Sequence, residues 1–172
     1  MNEEAGMKEA EIADMYHRHI DTIYKVCFML LRDRSDTEDA VQTVFMKLMQ
    51  SRKTFSDHEH EKAWLIRTAQ NYCKNVLFHW WRRKKVSADR LPEPAIPIRE
   101  DLQEVWRLAL DLPAKYKTVV YLFYYEGYSS KEIARMLEIN ESTIRSRLRT
   151  ARHLLKLNLE TEGEEALCEQ KT

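Results

Sequence analysis

A stretch near the C-terminal end, residues 128–156, constrains the fold more than any other part of the chain. Its sequence, YSSKEIARMLEINESTIRSRLRTARHLLK, contains two helical patterns separated by a four-residue corner. Ser129 and Glu132 have the S-x-x-E spacing of a capping box, in which each side chain accepts a backbone hydrogen bond from the other residue at the start of a helix. Asn140 precedes the second pattern and is suited to cap it. This arrangement predicts a helix-turn-helix.

The second helix of this pair has two different faces. At about 100° per residue, Ile144, Leu148, Ala151 and Leu155 share one face, which we predict is buried. The other faces combine short polar side chains, able to approach base edges, with long cations, able to reach phosphates: Ser142, Thr143, Arg145, Ser146, Arg147, Arg149, Arg152 and His153. Such a surface indicates a recognition helix for duplex DNA. The alternative is a solvated cationic helix in an ordinary bundle.

Composition favours an all-helical chain, because only three glycines and four prolines occur among 172 residues. Charge interrupts every apolar run before membrane-spanning length, and the chain opens with an acidic segment instead of a signal peptide. We therefore expect a cytoplasmic protein that is not itself a membrane protein. Cys27, Cys73 and Cys168 lack C-x-x-C spacing, and the first two lie on apolar faces, which indicates buried free thiols.

Two histidine pairs, His17-x-His19 and His58-x-His60, do not predict a metal site. A two-residue spacing on a helix directs the two rings to different faces, and no cysteine is near them in sequence. The sequence also shows no nucleophile paired with a base and no glycine-rich phosphate loop. We therefore predict no metal, no cofactor and no enzymatic activity.

The net charge is zero, but the charge is unevenly distributed. Residues 15–90 carry a net charge of +6 and residues 113–158 carry +5, whereas the segments 1–14, 91–112 and 159–172 carry −4, −3 and −4. Two basic modules thus alternate with three acidic segments. This pattern is typical of a protein that contacts a polyanion at two places.

We predict two small helical domains joined by a flexible linker. An acidic N-terminal segment, 1–14, precedes the first domain, 15–85. The linker, 86–100, contains three of the four prolines. The second domain, 101–158, is a four-helix module that contains the helix-turn-helix. An acidic tail, 159–172, follows it, and we expect this tail to be frayed.

In the first domain, the second helix is predicted to begin with a cap at Ser35 or Asp36 and to end near Gln50. Its solvent-facing side is predicted to carry Asp39, Gln42, Thr43 and Met46. A methionine beside an acid and an amide on such a face suggests a contact with another protein. The alternative is a set of scattered surface residues that includes one exposed methionine.

A loop over residues 51–61, with Phe55, Asp57 and His58, is predicted to precede a third helix from about Lys62 to Trp81. The exposed face of that helix interleaves aromatic rings with cations and amides and has no carboxylate: Trp64, Arg67, Asn71, Lys74, Asn75, Phe78 and Arg82. This chemistry favours single-stranded nucleic acid, whose unstacked bases lie on rings. The alternative is that Trp64 and Phe78 pack against the first helix.

Taken in order, these motifs resemble bacterial sigma factors of the sigma-70 family, in the extracytoplasmic-function (ECF) group. The resemblance covers residues 15–158 and depends on DTEDAVQTVF at 36–45, AWLIR at 63–67 with Asn71, Leu112-Pro113 and the helix-turn-helix. It implies a non-enzymatic protein that directs transcription initiation. Its implied partners are promoter DNA and core RNA polymerase, contacted at the beta-prime clamp helices and the beta flap. Family members commonly have an anti-sigma factor as well, although no residue here identifies one, and no small-molecule substrate is implied.

The residue patterns and the resemblance together assign roles to individual residues. Contacts with polymerase fall on Asp39, Gln42, Thr43 and Met46. Contacts with the melted minus-ten element fall on Phe55, Asp57, His58, Trp64, Arg67, Asn71, Lys74, Arg82 and Arg83. Contacts with the minus-thirty-five duplex fall on Ser142, Thr143, Arg145, Ser146, Arg149 and His153.

Three positions depart from the usual pattern of the family. Thr43 stands where an acid is usual, which weakens one expected polar contact with polymerase. Glu138 replaces the usual corner glycine, at a cost of about 1 kcal/mol if its φ is positive, and Ser142 replaces another common glycine. These departures leave the exact promoter contacts open. The alternative function is a stand-alone helix-turn-helix regulator with an N-terminal dimerisation or sensing domain.

Overall fold

The computed structural model describes residues 9–51, 53–83 and 103–169, which form seven helices in two compact units, Met1–Pro97 and Ile98–Thr172. The first unit contains α1 (Glu9–Leu31), α2 (Arg34–Ser51) and α3 (His58–Arg83). The second contains α4 (Gln103–Leu110), α5 (Ala114–Tyr124), α6 (Ser130–Leu137) and α7 (Glu141–Glu169). The predicted all-α fold with two helical domains is confirmed. The predicted linker, 86–100, lies outside the described residues.

In the first unit, each of the three helices packs against the other two. Their apolar faces meet in a core that includes Ile23, Phe28, Leu48, Leu65 and Ile66, all with 1% exposure or less. Burial of such faces is the main source of stability for a small helical unit.

Cys27 on α1 and Cys73 on α3 are buried free thiols, as predicted. The hydrogen bond between the two thiols, together with burial, raises the pKa of Cys27 well above its usual value. The thiolate, which is the nucleophilic form, is therefore disfavoured. The side chain of Cys168 lies outside the described part of the chain.

The helix α2 begins earlier than predicted. Arg32 has a φ of 58°, and its N–H donates to the Phe28 carbonyl at 2.8 Å, so α1 stops there. The Asp33 carboxylate then accepts the Asp36 N–H at 2.9 Å, and the Thr37 hydroxyl donates to the Asp33 carbonyl at 2.6 Å. The cap is therefore Asp33, and the prediction of Ser35 or Asp36 was wrong.

The start of α3 also differs from the prediction, by four residues. The Asp57 carboxylate accepts the His60 N–H at 2.7 Å, and the Asp57 carbonyl accepts the Glu61 N–H at 3.1 Å. These bonds satisfy amides that a helix start would otherwise leave unpaired. Residues 58–61, predicted as loop, are therefore the first turn of the helix.

In the second unit, the predicted capping box is confirmed, since the Ser129 and Glu132 side chains each accept the other residue's N–H. The hydrogen bonds from Ser129 lower the pKa of Glu132. Gly127, with a φ of 75°, forms the turn after α5, where the Tyr128 N–H donates to the Leu122 carbonyl at 3.0 Å. This turn sets the start of the helix-turn-helix.

The predicted buried stripe of α7 is confirmed: Ile144, Leu148, Ala151 and Leu155 are all buried. Asn140 directly precedes the helix, and its backbone carbonyl accepts the Thr143 and Ile144 N–H groups. The helix continues to Glu169. The acidic tail, expected to be frayed, is therefore helical over most of its length.

Within the described ranges, no helix has both the length and the apolar character needed to cross a bilayer. The same residues bring together no group of three or more metal-ligating side chains.

The corner of the helix-turn-helix generates a first prediction. Glu138 adopts a left-handed conformation, with φ 55° and ψ 44°, in which glycine avoids a penalty of about 1 kcal/mol. We expect Glu138→Gly to raise the free energy of unfolding relative to Glu138→Ala by about 1 kcal/mol, as measured by urea unfolding of the full chain. The alanine variant removes the same side chain without the gain in backbone freedom. Equal stability of the two variants would contradict this account of the corner.

Candidate nucleic-acid and protein interfaces

The outward face of α7 presents the side chains that the sequence assigned to duplex recognition. Ser142, Arg145, Ser146, Arg149 and His153 are exposed. Thr143 is half-buried. Because the opposite stripe is buried in the core of the unit, this face projects away from it. The helix therefore offers hydroxyls, guanidinium groups and an imidazole on one accessible surface.

Glu141 connects the two helices of the helix-turn-helix at their corner. Its Oε1 accepts a hydrogen bond from Arg145 at 2.6 Å and another from the Ser130 hydroxyl at 3.3 Å. The Arg145 side chain is 70% exposed, and an exposed ion pair of this kind contributes little to stability. Arg145 can therefore exchange this carboxylate for a phosphate at modest cost.

Arg152 is held at the flank of α7 by two aromatic residues of α5. Its Nε donates to the Tyr124 hydroxyl at 2.8 Å, and its guanidinium lies 5.5 Å from the centre of the Phe123 ring. Tyr124 is 37% exposed. Its hydroxyl orients a cation beside the outward face, a role that only the packing of α5 against α7 reveals.

In the first unit, the segment before α3 and the first turns of that helix form an aromatic cluster. Phe55 lies 5.5 Å from the His60 ring and 5.9 Å from the Trp64 ring, centre to centre. The Lys53 ammonium lies 5.8 Å from the centre of the Trp64 ring. Sequence reasoning identified Phe55 and Trp64 but missed Lys53 and His60. The cluster combines ring faces with a cation, as a base-stacking surface requires.

Farther along α3, the predicted face remains open to solvent. Asn71 and Lys74 are exposed, and Phe78 is 58% exposed, an unusual environment for a large apolar ring. Arg67 is half-buried. Arg82 and Arg83 belong to the last turn of the helix, and their side chains lie outside the described part.

Asp57 has a structural role that the sequence assignment overlooked. One carboxylate oxygen accepts the His60 N–H and the other accepts the Ser56 hydroxyl at 2.9 Å. The hydrogen bond from the His60 backbone N–H lowers the pKa of Asp57 most, and the bond from the Ser56 hydroxyl lowers it further. The carboxylate is therefore the cap of α3, whereas the neighbouring His58 side chain is 70% exposed.

The outer face of α2 contains the residues assigned to a protein contact. Asp39 and Gln42 are exposed, and Met46 is 49% exposed. Thr43 is half-buried, and its hydroxyl donates to the Asp39 carbonyl at 2.8 Å. This hydroxyl already serves the helix backbone, which fits the expectation that Thr43 makes a weaker polar contact than an acid would.

A groove of about 700 Å³ lies between α1 and α2 and continues this face. Met46 and Gln42 line it, together with Met49, which is 57% exposed, and Tyr16, which is 41% exposed. The Tyr16 ring packs 4.8 Å from Phe45 at the edge of the core, which leaves the other side open.

Two family models match the chain. One, described as Sigma-70 region 2, matches residues 15–86, and the other, described as Sigma-70 region 4, matches residues 102–155. Among similar proteins, the ECF RNA polymerase sigma factor SigX of Bacillus subtilis (strain 168) is 24% identical, over 91% of this chain and 86% of its own length. SigW of the same organism is 28% identical, over 87% of this chain and 88% of its own length. SigL of Mycobacterium tuberculosis is 29% identical, over 92% and 94%.

Solved structures share the fold. CnrH in complex with the cytosolic domain of CnrY has a TM-score of 0.66 and 22% identity, over 91% of this chain and 92% of that one. The sigma factor RpoE in complex with the anti-sigma factor NepR, from Bartonella quintana, has a TM-score of 0.67 and 21% identity, over 86% and 96%.

Proposed function

Because the chain belongs to the sigma-70 family, in the ECF group of RNA polymerase sigma factors, we propose that it binds core polymerase and recognises a promoter at two separate elements. The main observation that supports this proposal is that each of the two family matches falls on a different structural unit. Each unit also has its own exposed face of polar and cationic side chains. Family membership is consistent with a non-enzymatic subunit.

In this proposal residues 101–158 bind the minus-thirty-five element as duplex DNA. The outward face of α7 has the dimensions and chemistry of a major-groove reader, with Ser142, Ser146 and Arg149 nearest to base edges. Arg145 and Arg152 flank that face and contact phosphates. Phosphate contacts position the helix, while base contacts provide sequence preference.

Residues 15–85 bind the minus-ten element after its strands separate. The rings of Phe55 and Trp64 stack with an unpaired base, and Asn71 offers an amide for its polar edge. The cations Lys74, Arg82 and Arg83 contact the backbone. Binding to bases that are accessible only when unstacked favours the open state of the promoter, because a ligand shifts an equilibrium toward the state it binds.

The face of α2 with Asp39, Gln42 and Met46 contacts the beta-prime clamp helices. An exposed methionine surrounded by polar groups provides apolar contact area inside a polar rim, which is the usual composition of a protein interface. The residues 86–100 connect the two modules. An anti-sigma factor remains a partner class that the ECF group suggests.

The alternative of a stand-alone regulator is not favoured. It requires an N-terminal domain for dimerisation or sensing, whereas residues 15–86 match sigma-70 region 2. A regulator also has no need for exposed rings beside cations on α3.

Transcription with core polymerase tests the function directly. The purified protein with core polymerase is expected to give discrete run-off transcripts from genomic DNA, because promoter choice comes from the sigma subunit.

Asp39→Ala is expected to lower the affinity for core polymerase roughly tenfold, about 1.4 kcal/mol, while Ser35→Ala on the same helix leaves this affinity unchanged. A protein that does not associate with core polymerase at low salt is not a sigma factor.

Asn71→Ala tests the single-strand face. We expect it to reduce the preference for a cognate minus-ten strand over a scrambled one by about 1–2 kcal/mol, because a buried base would lose its hydrogen-bond partner. Fluorescence anisotropy with labelled single strands measures this preference, and Gln50→Ala, an exposed amide of the same unit, is the control. If the variant instead bound core polymerase more weakly and kept its base preference, this face of α3 would be a polymerase contact and not a single-strand contact.

Arg149→Ala tests the duplex face. Loss of a base contact is expected to cost about 1–3 kcal/mol on the cognate minus-thirty-five duplex and much less on unrelated duplexes. The control is Arg135→Ala, an exposed arginine on α6. Equal weakening on all duplexes would identify Arg149 as a phosphate contact.

A further inference from the structure

The first turn of α3 contains a network of charged groups buried against α1. Glu61 is the one buried carboxylate among the described residues, and its side chain is only 4% exposed. Its Oε1 accepts a hydrogen bond from Arg18 at 2.6 Å and lies 2.6 Å from His19 Nε2. Its Oε2 lies 3.6 Å from His58 Nδ1. Two consecutive residues of α1 therefore converge on one residue of α3.

The His19 ring lies against the Glu61 carboxylate in a buried environment. Burial lowers its pKa below the usual value, and this effect outweighs the hydrogen bond with Glu61, which acts in the opposite direction. The nearby charges of Lys62 and Arg18 lower it further. A neutral imidazole that carries its proton on Nε2 can donate to Glu61. Arg18 then supplies the counter-charge, and removing Glu61 would take this hydrogen bond from the buried His19 ring.

This network lies next to the segment assigned to the minus-ten base, because Glu61 belongs to the first turn of α3, which begins at that segment. The Glu61 N–H donates to the Asp57 carbonyl, and Asp57 in turn holds the Ser56 hydroxyl and the His60 N–H. A cavity of about 400 Å³ lies above the network. Its lining includes residues of the network and of that segment: Arg18, Glu61, Thr54, Phe55, Asp57 and His58.

We infer that Glu61 is a positioning residue for minus-ten recognition. By accepting hydrogen bonds from Arg18 and His19, it fixes residues 54–58 against α1 and preserves the shape of the cavity beside Phe55. Glu61 acts through this segment and does not itself recognise the base. The inference rests on the proposed single-strand function.

The test compares two affinities measured on the same protein preparation. Wild-type protein bound to core polymerase selects a preferred strand from a random pool of short single-stranded DNA, and this strand and its scrambled version are the labelled probes. Glu61→Ala is expected to lower the ratio of the two affinities roughly tenfold. Partial unfolding reduces both affinities equally, so a role in stability alone leaves the ratio unchanged.

His19→Ala separates positioning from direct contact. His19 is not among the residues that line the cavity, so it makes no direct contact with a base placed there. We expect the same direction of change as for Glu61→Ala, with duplex and core binding retained. Glu59→Gln, which removes an exposed acid from the same helical turn, is expected to keep the wild-type ratio.

A wild-type ratio in both alanine variants would overturn the inference. If those variants do not fold, Glu61→Leu and His19→Phe, which fill similar space without a hydrogen-bonding group, are measured by the same criterion, and a wild-type ratio in both has the same meaning. A wild-type protein that prefers no strand contradicts the proposed single-strand function instead, which is a different result.

Discussion

Three short polar side chains fix where helices begin, and the surfaces of both units depend on those starting points. Asp33, Asp57 and Ser129 each accept the N–H of the residue three positions later, in the first turns of α2, α3 and α6. Two residues in the left-handed conformation end helices: Arg32 ends α1, and Glu138 ends α6. Because the direction of successive side chains around a helix axis changes by about 100° per residue, the residues at which helices begin and end determine which side chains face solvent.

The sequence was sufficient for the features that depend on local periodicity. The all-α fold and the capping box of α6 follow from patterns within a few turns, as does the buried stripe that begins at Ile144. The start of α3 was misplaced for a physical reason: residues 58–62 are all charged or histidine, so the apolar period begins only at Ala63. The signal that would have found it is the Ser56-Asp57 pair, a typical N-cap sequence that was interpreted only as part of a loop.

The contacts that orient the candidate sites lie far apart in sequence, which is why periodicity did not predict them. Arg152 is held by Tyr124, 28 residues away, and His19 meets Glu61 across 42 residues. Such pairs depend on how helices pack, whereas exposure depends mainly on each helix alone. Helical periodicity therefore placed most candidate side chains on exposed faces. It could not identify the residues that hold those side chains in position.

The bond between Glu141 and Arg145 changes how electrostatics would operate on the proposed duplex interface. Each arginine that neutralises a phosphate releases cations that were condensed on the DNA, and this release makes affinity fall as salt rises. Arg145 instead carries its own carboxylate, fixed at 2.6 Å by the same helix. The pair of Glu141 and Arg145 adds no net charge to the face of α7. In the proposed complex, the salt dependence of duplex binding is therefore expected to be smaller than the number of arginines alone implies.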